Sequence, residues 1–335
     1  MGIYCYERYI IFLIYGVGGS ISFKMNDIGL PKGLALKKTY VIRRKIAISD
    51  LTIVYLGFDK IKRQVCVIKE FFPRKMVLRD LNHQTVVCKY ASQTETYSKK
   101  RDLFQQEAAI LRLVRHQNVV EYLDDFSENN TGYIVTRYYK GHTLDRYMVN
   151  EKNITITNFF RDIFIPLLNA IDDLHKQGII HRDIKPNNII ISSKIQPVII
   201  DFGSAIRFQE KQIKDIFVTP GFSPLEFYSN CSKQGKYSDI YSLAATLYYY
   251  LCGKVPVNVT ERIIEDRMED IWKNNRTISL LLSGVIMKNL AVNYKKRFAS
   301  LSFFKAFIYL EYFRLKLKQT GYYLFNPSEY HNYKS

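Results

Sequence analysis

The chain has 335 residues, 49 Lys and Arg against 31 Asp and Glu, a formal net charge of +18, a hydrophobic fraction of 47% and a charged fraction of 24%. Those proportions exclude extended disorder and low-complexity structure, and the length leaves room for one large domain or two lobes with separate cores. Five cysteines (Cys5, Cys66, Cys88, Cys231, Cys252) are odd in number and never spaced C-x-x-C, which argues against a disulfide framework or a zinc site and fits a reducing cytoplasmic setting. The surplus positive charge is spread along the chain rather than gathered among aromatics, so no specific nucleic-acid partner is expected.

Residues 1–33 read as a leader or extension. Arg8 precedes an apolar run over 9–17, followed by Gly18, Gly19 and Ser20, the outline of a short signal peptide that is too short to span a bilayer. Tyr6 stands where N-myristoylation needs Ser or Thr, so Gly2 is not an acceptor. The working protein is expected to start near Met25, and no later stretch reads as a membrane span, because Lys305 interrupts the apolar run over 301–313. From 40 to 69 the runs "YVIRRKIAIS", "LTIVYLGF" and "QVCVIKEF" predict three strands. The interval from 73 to 100 is longer than a usual loop and is expected to form a hairpin of its own. A helix is predicted over 98–116, where Leu103, Ile110, Leu111 and Val114 recur at helical spacing. Further strands flank "ENNTG", a hairpin-turn signal. Beyond Gly141 the pattern turns helical, with a long amphipathic helix ending at Gly178 and "SDIYSLAATLYYYLCG", apolar nearly all round and therefore buried.

Just past that change lies "IIHRDIKPNNIII", ionisable residues fenced by isoleucine, as in a rigid loop between two strands. Asp183, Lys185 and Asn188 lie within it, and Asp201 follows the apolar "PVII" in "IIDFGSA". Two short hairpin strands would bring Asp183, Asn188 and Asp201 to one mouth. Asp and Asn oxygens at close range suit Mg²⁺, and a lysine beside them neutralises phosphate oxygens, the equipment of phosphoryl transfer.

With "VCVIK", "FQQEAAIL", "HRDIKPNN", "DFG", "TPGFSPLEF" and "SDIYSLAATLY" in this order, the chain resembles the eukaryotic-like (Hanks-type) serine/threonine protein kinases, with wording closest to bacterial members. The resemblance implies an α+β, bilobal protein-kinase fold: a small mostly-β N-lobe over 34–136 with one helix, a hinge over 137–141, a larger mostly-α C-lobe over 142–312 and a C-terminal tail over 313–335. It implies an enzyme that uses ATP and Mg²⁺ to phosphorylate Ser or Thr of protein substrates; the oligomeric state is left open. By the same resemblance Lys69 would hold the α- and β-phosphates and pair with Glu107. Asp183 would be the catalytic base, Lys185 would touch the γ-phosphate, and Asn188 and Asp201 would bind magnesium. Arg182 would tie the catalytic loop to the activation segment, Glu226 and Arg297 would form a structural ion pair, and Asp239 would brace the loop. Ile46, Val54, Val67 and Ile190 would enclose the adenine, beside a small gatekeeper at Thr136 and the hinge residues Arg137 and Tyr139.

The chain departs from the pattern at the phosphate-covering loop, where the three expected glycines fall at Ala47, Ser49 and Thr52. Residues with a Cβ resist the positive φ and close approach such a loop uses, so weaker nucleotide binding or a more open loop is expected. That departure keeps a second reading in play, a pseudokinase or scaffold. The stretch between Ser204 and Thr219 holds no Ser, Thr or Tyr, so Arg182 is expected to meet Glu210 or Asp215, or a partner, instead of a phosphate.

Overall fold

The computed structural model describes residues 28–151, 154–208 and 218–325, with side chains to 320. It divides into two compact units, one comprising the residues up to Leu113 together with Glu121–Tyr138, the other Val114–Val120 and everything from Tyr139 onward.

The first unit is a sheet with one helix. Strands β1 (Ala35–Leu36), β2 (Tyr40–Ile48), β3 (Thr52–Asp59) and β4 (Gln64–Phe71) form an antiparallel meander. After β4 the chain makes a separate hairpin of β5 (Val77–Arg79) and β6 (Val86–Cys88), then helix α1 (Thr94–Leu113), then β7 (Tyr122–Glu128) and β8 (Thr131–Arg137). The sheet order is β1-β2-β3-β4-β8-β7. The predicted strands stand where β-branched alternation put them, and the expected hairpin within 73–100 is β5–β6. The helix expected over 98–116 begins four residues earlier, at Thr94, and stops at Leu113. The "ENNTG" signal is borne out in the backbone: Asn129 and Asn130 both take positive φ (+53° and +60°), which the two central residues of a tight hairpin turn require and Asn tolerates.

Period-two alternation gives the sheet two different faces. Ile53, Tyr55, Ile68, Glu70, Tyr133 and Val135 are paired across strands on one face, and all are buried. On the other face Phe71 packs its ring against Tyr97 and Phe104 of α1, with centroids 5.4 and 5.5 Å away. Contacts of this unit reach ahead of residue 34: Leu30 is buried, its amide donates to the Tyr55 hydroxyl at 3.0 Å, and the Ile28 carbonyl accepts from Arg79.

The second unit is mostly helical. It opens with β9 (Gly141–Thr143), α2 (Leu144–Asn150), α3 (Ile156–Phe159) and α4 (Ile165–Lys176). The single long helix read from the sequence is continuous from 156 to 176 but carries a wider turn at Phe160–Phe164. Pro166 supplies the reason, since it cannot donate to the carbonyl four residues back and its ring crowds that turn. Gly178 ends the helix at φ +74°. Four short strands follow: β10 (Ile179–Ile180), β11 (Ile189–Ser192), β12 (Pro197–Ile199) and β13 (Ile206–Arg207). β11 pairs with β12 and β9, and β10 with β13. Then come α5 (Lys236–Cys252), α6 (Val259–Ile264), α7 (Ile271–Asn274), α8 (Leu280–Asn289) and α9 (Leu301–Phe325). Residues Ser238 to Tyr248 of α5 are all buried, as its all-round apolar pattern predicts. Among the described residues no helix is long and apolar enough to cross a membrane.

Candidate active site

In the first unit the register sets the site. Val54 pairs with Lys69, Ala47 with Val54, and Val67 with Thr136, so Ala47, Val54, Val67, Lys69 and Thr136 share one face of the sheet. Burial of the Cys66, Ile68 and Glu70 side of β4 fixes this register, because a one-residue slip would carry Lys69 to the buried face and Glu70 to this one. Glu107 of α1 reaches the same face, and Lys69 Nζ donates to both of its carboxylate oxygens at 2.9 and 2.8 Å. Val54, Val67 and Thr136 are only partly buried, which leaves an apolar surface beside the ion pair open to a ligand. Ile46 lies on the exposed, irregular part of β2, next to a register shift between Lys45 and Ala47. Arg137 ends β8, exposed and bonded to Glu121 at 2.9 Å, and Tyr139 follows it, half-buried.

The turn expected to be glycine-rich is closed by serine instead. Ser49 Oγ accepts the amides of Leu51 (3.3 Å) and Thr52 (3.0 Å), and the Ser49 amide donates to the Thr52 carbonyl at 2.8 Å. No positive φ is used there. A side-chain cap thus stands where glycine's conformational freedom was expected, and it commits the amides of Leu51 and Thr52.

In the second unit the loop between β10 and β11 carries the predicted catalytic residues. Lys185 Nζ donates to both oxygens of Asp183, each at 2.8 Å, and to Thr219 Oγ1 at 3.0 Å. Asn188 Nδ2 donates to the Asp183 carboxylate at 2.7 Å and to its carbonyl at 2.9 Å. Thr219 Oγ1 donates to Asp183 Oδ1 at 3.2 Å, so a hydroxyl already occupies the place beside the carboxylate. Thr219 is not among the site residues expected from the sequence; a hydroxyl residue directly before Pro220 was the available signal. The β11–β12 pairing brings Asn188 beside the residues that precede Asp201, the Ile200 amide donating to the Asn188 carbonyl at 3.0 Å. Asp201 Oδ1 accepts the Gly203 amide at 3.1 Å. Ile190, between the buried Ile189 and Ile191, is half-exposed on the opposite side of β11.

The loop is braced from below, as expected. Asp239 on α5 is fully buried, and its two oxygens accept the amides of His181 (2.9 Å) and Arg182 (2.8 Å). Its Oδ2 also meets His175 Nε2 at 2.8 Å. Burial alone would raise this carboxyl, but the His175 bond and the neighbouring imidazoles hold it below its ordinary value of 3.8. Arg182 is buried, with its guanidinium 5.7 Å from the Phe227 ring centroid. The expected partners Glu210 and Asp215 lie outside the described residues. Glu226 and Arg297 form the expected ion pair, at 2.8 Å and almost wholly buried, with Ser238 Oγ donating to Glu226 at 2.7 Å.

The donor set also fits a magnesium ion. Asn188 spends its Nδ2 on Asp183, which leaves Oδ1 as the atom to offer a cation, and the Asp201 carboxylate adds a second hard oxygen. Mg²⁺ needs no more from the protein, since it keeps waters and takes phosphate oxygens. Among the described residues no cluster of three or more His, Cys, Asp or Glu suggests a softer metal.

A sheet unit with a lysine–glutamate pair on one face, and a helical unit with an Asp-x-Lys-x-x-Asn loop ahead of an Asp-Phe-Gly turn, carry the residue pattern of the protein-kinase class. Comparison with known proteins agrees. Residues 74–308 match the protein kinase domain model, and the chain belongs to that family. The match begins after β4, so the strands with the glycine-free turn and Lys69 lie outside it. The chain is 33% identical over 218 residues to serine/threonine-protein kinase PknA of Nostoc sp., covering 62% of this chain and 38% of that protein. It is 28% identical over 254 residues to serine/threonine-protein kinase B of Synechocystis sp., covering 70% and 40%. A solved structure described as "PpkA-294 apo form" superimposes with a TM-score of 0.73 at 27% identity, over 84% of this chain and 99% of that one. Both curated relatives are named as serine/threonine kinases, and the chain spans about two fifths of their length.

Proposed function

We propose that the chain is a catalytically active, ATP- and Mg²⁺-dependent protein kinase that transfers the γ-phosphoryl group to serine or threonine hydroxyls of protein substrates. The observation that carries this reading is the Asp183 carboxylate, held by Lys185 and Asn188 with a threonine hydroxyl already hydrogen-bonded to it. A substrate hydroxyl in the place of Thr219 would donate to Asp183, which orients it and accepts its proton as the oxygen attacks phosphorus. Lys185, at that carboxylate, supplies positive charge for the transferring group. Asn188 and Asp201 would hold magnesium, which neutralises the phosphate oxygens when bound. Lys69, fixed by Glu107, would grip the α- and β-phosphates. Ile46, Val54, Val67, Thr136, Arg137, Tyr139 and Ile190 would receive the adenosine. Arg182 is a positioning residue whose partner would set the activation segment.

The kinase domain is proposed to run from about residue 28 rather than 34, on the strength of the Ile28 and Leu30 contacts, and to 312. A cytoplasmic location is supported by cysteines that are free among the described residues. The Ser49-capped turn favours weak nucleotide affinity, and a scaffold that binds nucleotide without turnover is the reading it would serve. The test is phosphate transfer from Mg·ATP by the full chain, to itself and to a generic Ser/Thr-containing protein. Transfer that falls by about 10³-fold or more in Asp183→Asn, with nucleotide binding retained, is the expected result. Binding without transfer in the unsubstituted chain overturns the proposal.

A further inference from the structure

The C-terminal helix α9 is apolar on two faces. Leu301, Phe304, Ile308 and Leu315 face the core of their own unit. On the other side Phe303, Leu310, Phe313 and Leu317 are 63%, 56%, 54% and 73% exposed. With Ala306 they recur at intervals of three, four, three and four residues. At 3.6 residues per turn they form a stripe about 80° wide, centred roughly 160° around the helix from the buried one. Where α8 meets α9, an apolar groove of about 230 Å³ lined by Leu281, Leu282, Phe307 and Leu310 adjoins the stripe. Scattered exposed apolar residues need no explanation, but a contiguous ordered stripe does.

The exposed charge beside the stripe is positive. Lys316 and Lys318 are exposed, whereas Lys305 lies away from the stripe and donates to Asp172 at 3.0 Å, and Arg314 pairs with Glu311. Glu311 is buried and already engaged, accepting from the Ser279 amide (3.0 Å) and hydroxyl (2.6 Å) and pairing with Arg314. Arg314 and Lys316 fall on opposite flanks of the stripe, the positions that contact a facing helix in a coiled-coil pair.

We propose that the outer face of α9 is a docking seam for an acidic amphipathic helix of a partner protein. The alternating three-four repeat is that of a helix–helix seam, and its width is too narrow for a helix lying in a lipid interface, which needs a broader apolar face. A second copy of this chain is a poor occupant, because it would set the exposed Lys316 and Lys318 of one helix against those of another. An apolar stripe flanked by Asp and Glu complements both the shape and the charge. The seam lies within the helical unit and stands whether or not the chain transfers phosphate.

The test uses the full chain and a synthetic peptide of about four heptads with Leu at both seam positions and Glu at both flanking positions. A matched peptide with Lys at the flanks is the control. Fluorescence anisotropy is expected to show binding of the Glu peptide, weakening with salt, at least about tenfold tighter than the Lys peptide. The double substitution Leu310→Glu/Phe313→Glu should weaken it by about tenfold or more, whereas Leu310→Ile and Phe313→Leu should retain it, which separates loss of the seam from loss of the fold. Phosphate transfer by these variants should match that of the unsubstituted chain. Equal affinity for the two peptides, or no binding of either, overturns the proposal. So does self-association, or binding to phosphatidylglycerol vesicles, that depends on Leu310 and Phe313 while the Glu peptide does not compete.

Discussion

Arg182 carries a φ of +68°, in the left-handed region that a residue with a Cβ enters at a cost of about 1–2 kcal/mol. What holds it there is the Asp239 carboxylate, which accepts its amide and that of His181. The sequence placed Asp239 beneath this loop but gave no sign that two histidines would share the site. His181 is wholly buried, with its ring edge-on to Phe202 at 4.7 Å, and its Nδ1 accepts the Asp183 amide at 3.3 Å. Burial pushes this imidazole below its ordinary value of 6.5, although Asp239, Asp183 and Asp201 pull the other way. Both His181 and Asp239 thus favour their deprotonated forms in the folded state, so below the unfolded values the unfolded chain binds more protons. Stability must fall with falling pH, first below about 6.5 through His181 and again below about 3.8 through Asp239. Thermal melting at about pH 7.5 and about pH 5.5 should show a lower Tm at the acid value, with a smaller difference in His181→Phe. A Tm that rises on acidification would contradict the assignment.

At the scale of the element, β4 concentrates the argument. Lys69 shares the Val54 face of the sheet, and its neighbour Glu70 points to the opposite, wholly buried face. Glu70 is held there by Arg79 from the β5–β6 hairpin, through bonds of 2.7 and 2.8 Å, and by the hydroxyls of Tyr55 (2.7 Å) and Tyr133 (3.1 Å). Burial, and then Glu70, push the Tyr55 hydroxyl well above its ordinary range. Arg79 also donates to the carbonyls of Ile28 and Gln84 and lies 4.7 Å from the Phe72 ring centroid. The hairpin itself was legible from its length, as were the strands from their alternation and the Asp183 loop from its isoleucine fence. The Arg79–Glu70 pair was not, because an ion pair between a strand and the insertion that follows it leaves no periodic trace. Nor was the Ser49 cap, since reading the turn as a failed glycine loop hid the hydroxyl that closes it. Arg79→Met strands a carboxylate with no exposure, so it should cost about 3–5 kcal/mol in urea unfolding. Adding Glu70→Gln should restore part of that loss, because the amide can still bond both tyrosines. A cost below about 1 kcal/mol for the single change would mean that the pair does not anchor the hairpin.

At the scale of the whole molecule the governing quantity is the net charge of +18, which no one cluster carries. Like charges spread over a compact surface repel one another, and the repulsion is relieved on unfolding, when the charges move apart. Its range is set by the ionic atmosphere, about 30 Å at 0.01 M salt and about 10 Å at 0.1 M, so salt should remove most of it. The ion pairs that hold each unit respond differently. Arg79–Glu70 in the sheet unit and Arg297–Glu226 in the helical unit are nearly inaccessible to solvent and are screened little. Exposed pairs such as Lys99–Glu95 and Arg137–Glu121 are screened but contribute little to begin with. The balance therefore favours net stabilisation by salt. Raising sodium chloride from about 0.02 M to about 0.2 M should increase the Tm by a few degrees, chloride being chosen over sulfate or phosphate, which strengthen apolar burial by exclusion from the surface. A decrease in Tm over that range would place the dominant electrostatic term in attractive surface pairs rather than in the repulsion of the surplus lysines and arginines.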